Sequence, residues 1–153
     1  MRNVSNTRAI VWGHSAHWLA SHPRANLGVH YEGRWASQLF ATGHSIRQDM
    51  PGLPIAGPEP SRIGVQFDVS APGNSDARMR AFVQLRGPDG QVLGGRSLAV
   101  SPSGAAWQSH GIVLPVSRVP AGARVQVAFV RDDAAGGTPV AITGVRAWQS
   151  TGE

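Results

Sequence analysis

Apolar and polar residues alternate along Arg62–Ser70, where Ile63, Val65, Phe67 and Val69 are interleaved with Gly64, Gln66 and Asp68. Met79, Ala81, Val83 and Leu85 repeat the pattern against Arg78, Arg80, Phe82, Gln84 and Arg86, and Val125, Val127 and Phe129 repeat it again. Successive side chains of a strand point to opposite faces, so a period of two marks one buried face and one wet face. Turn chemistry separates the runs. Gly87-Pro88-Asp89-Gly90 predicts a hairpin between strands 78–86 and 91–100. Gly94-Gly95 predicts a bulge in the returning strand. Ser101-Pro102-Ser103-Gly104 leads into a strand at 106–116, and Val119-Pro120-Ala121-Gly122 into one at 123–131. The loop Asp132–Gly137 precedes a last strand, Val140–Trp148. Short strands at this spacing predict an antiparallel β-sandwich or barrel. Residues 9–12 and 35–40 read as further strands of the same sheets, and helix is confined to a turn or two within Ser15–Ser21.

A chain of 153 residues fits one domain, able to bury roughly 70% of its unfolded surface. Residues 51–60 hold four prolines and two glycines, which rules out helix and central strand. They read as a connection within a single sandwich domain, joining segment 1–50 to the strand region 62–149. With no cysteine there is neither a disulfide framework nor a thiolate zinc site. No apolar run approaches the length of a membrane span, so no membrane insertion is expected. Met1–Asn6 lacks the apolar stretch of an export signal, and synthesis in a bacterial cytoplasm is the expectation. The net charge of +5 comes from 14 arginines with no lysine. They are spread along the chain rather than clustered, which argues against nucleic acid as the partner.

Arg62-Ile-Gly-Val-Gln-Phe-Asp-Val-Ser, Gly87-Pro-Asp-Gly, Trp107-Gln108 before an apolar strand, Val119-Pro-Ala-Gly-Ala-Arg-Val-Gln-Val-Ala-Phe and a closing strand ending in Trp148 form one ordered series. Over about residues 60–150 this series resembles the jelly-roll β-sandwich of carbohydrate-binding modules. Similar domains occur in tail fibres and head spikes of phages and gene transfer agents. The resemblance implies a jelly roll that binds host-surface polysaccharide at the surface of a virion, as a homo-oligomer among other virion proteins. The chain departs from the type attached to glycanases: no acidic cluster marks a structural calcium site, and no ladder of exposed aromatics occupies one strand.

The densest chemistry lies in residues 12–44, with His14, His17, His22, His30 and His44, Trp12, Trp18 and Trp35, Tyr31 and Phe40. Flat aromatics beside hydrogen-bond donors suit sugars, which present apolar C–H faces ringed by hydroxyls. Large aromatics on half-buried strands are more often core, and Trp12, Trp35, Phe40, Trp107 and Trp148 read that way. Trp18, His30 and Tyr31 remain as ligand-binding candidates. His14 and His17 at spacing three, with His22 beyond, have imidazoles that suit zinc or nickel, but no acidic residue precedes Glu32 and no metal site is expected. Asp132-Asp133 offers oxygens to calcium, though a solvated turn explains it as well.

Catalytic patterns fail on inspection. The Gly-His-Ser triplets at 13–15 and 43–45 lack the glycine that completes a nucleophile elbow, since position 17 is His and position 47 is Arg. Triads drawn from Ser15 or Ser45 with Asp49 or Asp68 have no supporting pattern, so no enzyme activity and no cofactor are expected. On the wet side of two strands, Arg80, Phe82 and Gln84 share one parity, and Arg124 and Gln126 share another. If the strands are neighbours they form an arginine–glutamine platform with one aromatic, suited to a hydroxyl-rich or acidic glycan. The same residues would also fit an inner sheet face or a contact between subunits. The leading expectation is a non-catalytic polysaccharide-binding virion protein; the alternative is a purely structural virion protein acting through protein interfaces.

Overall fold

A computed structural model describes residues 8–11, 19–20, 26–31, 34–39, 43–49, 54, 56–71, 77–102, 104–132 and 140–151, with backbone alone at 8–11, 19–20, 26–31, 34–38 and 104–105. Among the described residues eleven strands follow in order. They are β1 (Arg8–Val11), β2 (Leu19–Ala20), β3 (Asn26–Tyr31), β4 (Arg34–Leu39), β5 (Ser45–Asp49) and β6 (Ser61–Ala71), then β7 (Met79–Arg86), β8 (Val92–Val100), β9 (Gly104–Val116), β10 (Arg124–Arg131) and β11 (Val140–Thr151). No helix occurs among the described residues. Leu19–Ala20, inside the stretch expected to make a helical turn, instead pairs with Arg47 and Ile46 of β5. Cross-strand pairing overrides a weak local preference there.

The strands form two antiparallel sheets. The first runs β3-β4-β11-β6-β9, with β1 pairing the distal half of β11; the second runs β2-β5-β10-β7-β8. The strand expected at 9–12 is present over 8–11, with Ile10 opposite Ala147. The hairpin β7–β8 closes as its turn residues require: Gly90 N–H donates to the Gly87 carbonyl at 2.9 Å. Gly90 has φ +85°, a conformation open to glycine and costly for a side chain. The bulge expected near Gly94-Gly95 falls between Val92 and Gly94, where the register with Leu85 and Arg86 shifts.

The core lies between the sheets and is built from the period-two positions. Ile63, Val65, Phe67 and Val69 of β6 meet Met79, Ala81, Val83 and Leu85 of β7 and Val125, Val127 and Phe129 of β10 in one buried cluster. Phe67 and Phe129 pack edge to face at 4.9 Å, an arrangement that stabilises by about 0.5–1.5 kcal/mol beyond area burial. One fully buried polar group links the end of β4 and the start of β5 to β10: Arg131 donates from Nη1 to the Leu39 carbonyl at 2.9 Å, and its backbone N–H to that of His44.

Two departures from simple alternation matter for the surface. Strand β6 is buried on both faces at Gly64, Asp68 and Ser70. In β11, the register shifts between Thr143 and Arg146 around Gly144, which has φ +62°. Val140 and Ile142 point inward before the bulge, and Val145 and Ala147 after it. Trp148, expected in the core, is thereby turned to the outer face and is half-buried. Trp107, also expected in the core, has outward parity beside Gln108, which pairs with inward Val69, and is likewise half-buried. Trp12 and Phe40 lie outside the described residues, and Trp35 is described only as backbone in β4.

Candidate functional site

Strands β10 and β7 are hydrogen-bonded neighbours, so the expected platform is assembled. Gln126 stands opposite Gln84, Ala128 opposite Phe82, Val130 opposite Arg80 and Arg124 opposite Arg86. The next strands extend the rows: Asp49 of β5 flanks Gln126, and Ser97 and Gly95 of β8 flank Phe82 and Gln84. These residues are on the outer face, since the opposite parity supplies the core. The inner-face alternative is thus excluded.

Local interactions fix parts of this face. Arg86 Nη2 donates to Gln84 Oε1 at 2.9 Å, and its Nη1 donates to the Gly90 carbonyl at 3.2 Å. With its oxygen engaged, Gln84 lines the depression beside it and still has amide N–H donors to offer. Arg80 and Asp132 approach to 3.6 Å, and Arg124 and Asp49 to 4.0 Å, all with roughly half-exposed side chains. Pairs this exposed contribute about 0–1 kcal/mol and leave their cations available to a ligand. Phe82, Gln84, Gly95, Arg96 and Ser97 line a shallow depression of about 210 Å³. Gly95 leaves its floor open. Arg96 and Ser97 were not among the candidates, although the Gly94-Gly95 pair beside them marked a site of close backbone approach.

The other candidates are placed elsewhere. His30 and Tyr31 belong to β3, opposite Trp35 and Arg34, in the first sheet and not the second. Trp18 and the histidines at 14, 17 and 22 lie outside the described residues, as does Asp133. Ser45 is on β5 in the second sheet and Asp68 on β6 in the first, so that serine–acid combination is not brought together. No cluster of metal-binding side chains occurs among the described residues.

No known protein-family profile matches the chain, and no curated protein matches it in sequence. Solved structures do. The xylan-binding domain CBM22-1 of Paenibacillus barcinonensis Xyn10C matches over 99% of this chain and 97% of its own, with TM-score 0.61 and 11% identity. The module TmCBM61, solved with β-1,4-galactotriose, matches over 92% of both chains, with TM-score 0.56 and 18% identity. The fold is a jelly-roll β-sandwich. Larger chains share it in part. The protein is similar to the enzymatically active domain of tailspike protein 4 from bacteriophage CBA120, with TM-score 0.52 and 16% identity, over 95% of this chain and 19% of that one. It spans 23% of an arabinose-bound α-L-arabinofuranosidase. Identities this low carry the jelly roll itself and no ligand.

Proposed function

We propose that the protein is a non-catalytic carbohydrate-binding component of a phage-like particle, recognising host cell-surface polysaccharide through the outer face of its second sheet. The observation that carries this reading is the face around Phe82, where one half-buried ring has Arg80 and Gln84 on its own strand, Gln126 opposite Gln84 and Arg124 farther along β10, beside an open depression. A sugar ring stacks its C–H face on Phe82 while glutamine amides and guanidinium groups meet its hydroxyls or an acidic substituent. The xylan-binding domain and the galactotriose-bound module support the ligand class, and the tailspike supports the setting.

A glycan array on the purified protein, followed by titration of the best hit, tests the reading. Phe82→Ala should weaken binding tenfold or more while the melting temperature stays within a few degrees, since truncating a desolvated aromatic anchor removes about 1–3 kcal/mol. A specific observation favours a second reading, a structural virion protein. Val92, Leu93 and Val113 are exposed on the adjacent edge strands β8 and β9, as expected of a protein interface. Absence of any saturable glycan binding, with self-association that Phe82→Ala disrupts, would establish that alternative.

A further inference from the structure

The outer face of the first sheet carries a second set of sugar-recognising chemistry, centred on the tryptophan that the β11 bulge turns outward. Bulges commonly re-aim a side chain, and here the inserted residue moves Trp148 from core parity to surface parity. Trp148 stands opposite Gly64, and a β-carbon added to Gly64 would lie 2.1 Å from indole Cε2 and 2.2 Å from Cζ2. The indole therefore sits directly over the glycine backbone, with no side chain beneath it. Exposed Val113 continues that row beyond Gly64, and Ala9 of β1 pairs with Trp148 on its other side. On one side runs the row Arg146, Gln66, Gly111; on the other, Ser150, Arg62, Pro115. Gly111 leaves a gap beside the exposed Gln66. Arg146 is held in place: its Nη2 lies 3.8 Å from Asp68 Oδ1, which also accepts the Ser109 hydroxyl at 2.5 Å, and the Asp68 side chain is 8% exposed.

Resting on the carbohydrate-binding reading, we propose that this face is a second, independent glycan site, with a pyranose ring on Trp148 and its hydroxyls on Gln66 and Arg146. One chain then holds two polysaccharide strands on opposite sides of the sandwich. Trp148 is flanked by the row of Arg146 and Gln66 on one side and that of Ser150 and Arg62 on the other, donors and a hydroxyl that suit a hydroxyl-rich ligand. Two arginines against one acid also favour a neutral or acidic sugar.

The test titrates the full chain with hexasaccharides of xylan, β-1,4-galactan and alginate, and measures cross-linking of the parent polysaccharides by light scattering. Two sites per chain are expected. Trp148→Ala and Gln66→Ala should each weaken one site tenfold or more, Phe82→Ala the other, and all three should abolish cross-linking. Gln66→Ala, at an exposed position, carries the test if Trp148→Ala fails to fold. A single site, sensitive to Phe82→Ala and indifferent to Trp148→Ala and Gln66→Ala, overturns the second site and leaves the first standing. No binding by the unaltered protein overturns both. Loss of self-association in Trp148→Ala with unchanged stoichiometry assigns the face to a second copy of the chain and also overturns the inference.

Discussion

The two outer faces of the sandwich each present an aromatic ring amid polar side chains, yet they are built differently. Trp148 rests on the backbone at Gly64, and farther along the same face Asp68 is sequestered from solvent against Ser109 and Arg146. Phe82 lies between Ala128 and Ser97, among ion pairs whose members are roughly half-exposed. The first arrangement tolerates little change at Gly64, where the indole lies directly on the backbone, and at Asp68, which is nearly dry. The second is solvated and can adjust to what it meets. Physical coupling between neighbours, more than residue type, separates them.

Matched glycine substitutions give the largest contrast. Gly64→Ala places a β-carbon 2.1 Å from Trp148 Cε2, far inside contact distance, so the indole must leave its seat. Overpacking of this kind costs about 1–3 kcal/mol. Gly95→Ala, on the second sheet, meets Gln84 Cγ at 3.4 Å and Val83 O at 3.6 Å, which is ordinary contact, and removes the entropy penalty of a strand glycine. Urea unfolding should show the first variant clearly destabilised and the second unchanged or slightly stabilised. Equal midpoints would mean that Trp148 moves freely and the contrast between faces is false.

The carboxylates come next. Asp68→Ala removes the acceptor of the Ser109 hydroxyl and the partner of Arg146 at a nearly dry position, for a loss of about 1–3 kcal/mol. Asp49→Ala removes one member of an exposed pair 4.0 Å from Arg124, for about 0–1 kcal/mol. Chemical unfolding of both variants against the unaltered protein measures the difference. A loss at Asp49 as large as at Asp68 would break the distinction.

Much of this was legible before the structure. The strands of 62–131 and the shared parity of Arg80, Phe82 and Gln84, and of Arg124 and Gln126, follow from period-two alternation, because one-sided burial imposes it, and the β7–β8 turn follows from its proline and glycines; the adjacency of β7 and β10 that joins the two sets does not. Trp148 defeated the same logic. Counting by twos from Val140 puts Gly144, Arg146 and Trp148 in the core, whereas the bulge puts Val145 and Ala147 there. A glycine in mid-strand followed by an arginine at a core position was the available signal. Strand β5 was missed for a different reason: its inward residues are Ile46 and Gln48, so half of its buried face is polar. The role of Arg131 was beyond local reading, because its partner Leu39 is 92 residues away in sequence.

Double-mutant cycles at different salt concentrations probe the smallest effect. The Arg124–Asp49 coupling should be below roughly 0.5 kcal/mol at low salt, because both side chains are about half in water and the charges are 4.0 Å apart. At 1 M salt the screening length falls to about 3 Å, shorter than that separation, so the coupling should vanish. The Ser109–Asp68 coupling should survive the same change. It is a 2.5 Å hydrogen bond from a neutral hydroxyl to an acid that solvent ions barely reach, which screening does not weaken in the same way. Measured by thermal or urea unfolding of the four variants in each square, salt should therefore flatten one cycle and leave the other. If both cycles collapse together, Asp68 is as wet as Asp49 and the two faces are built alike.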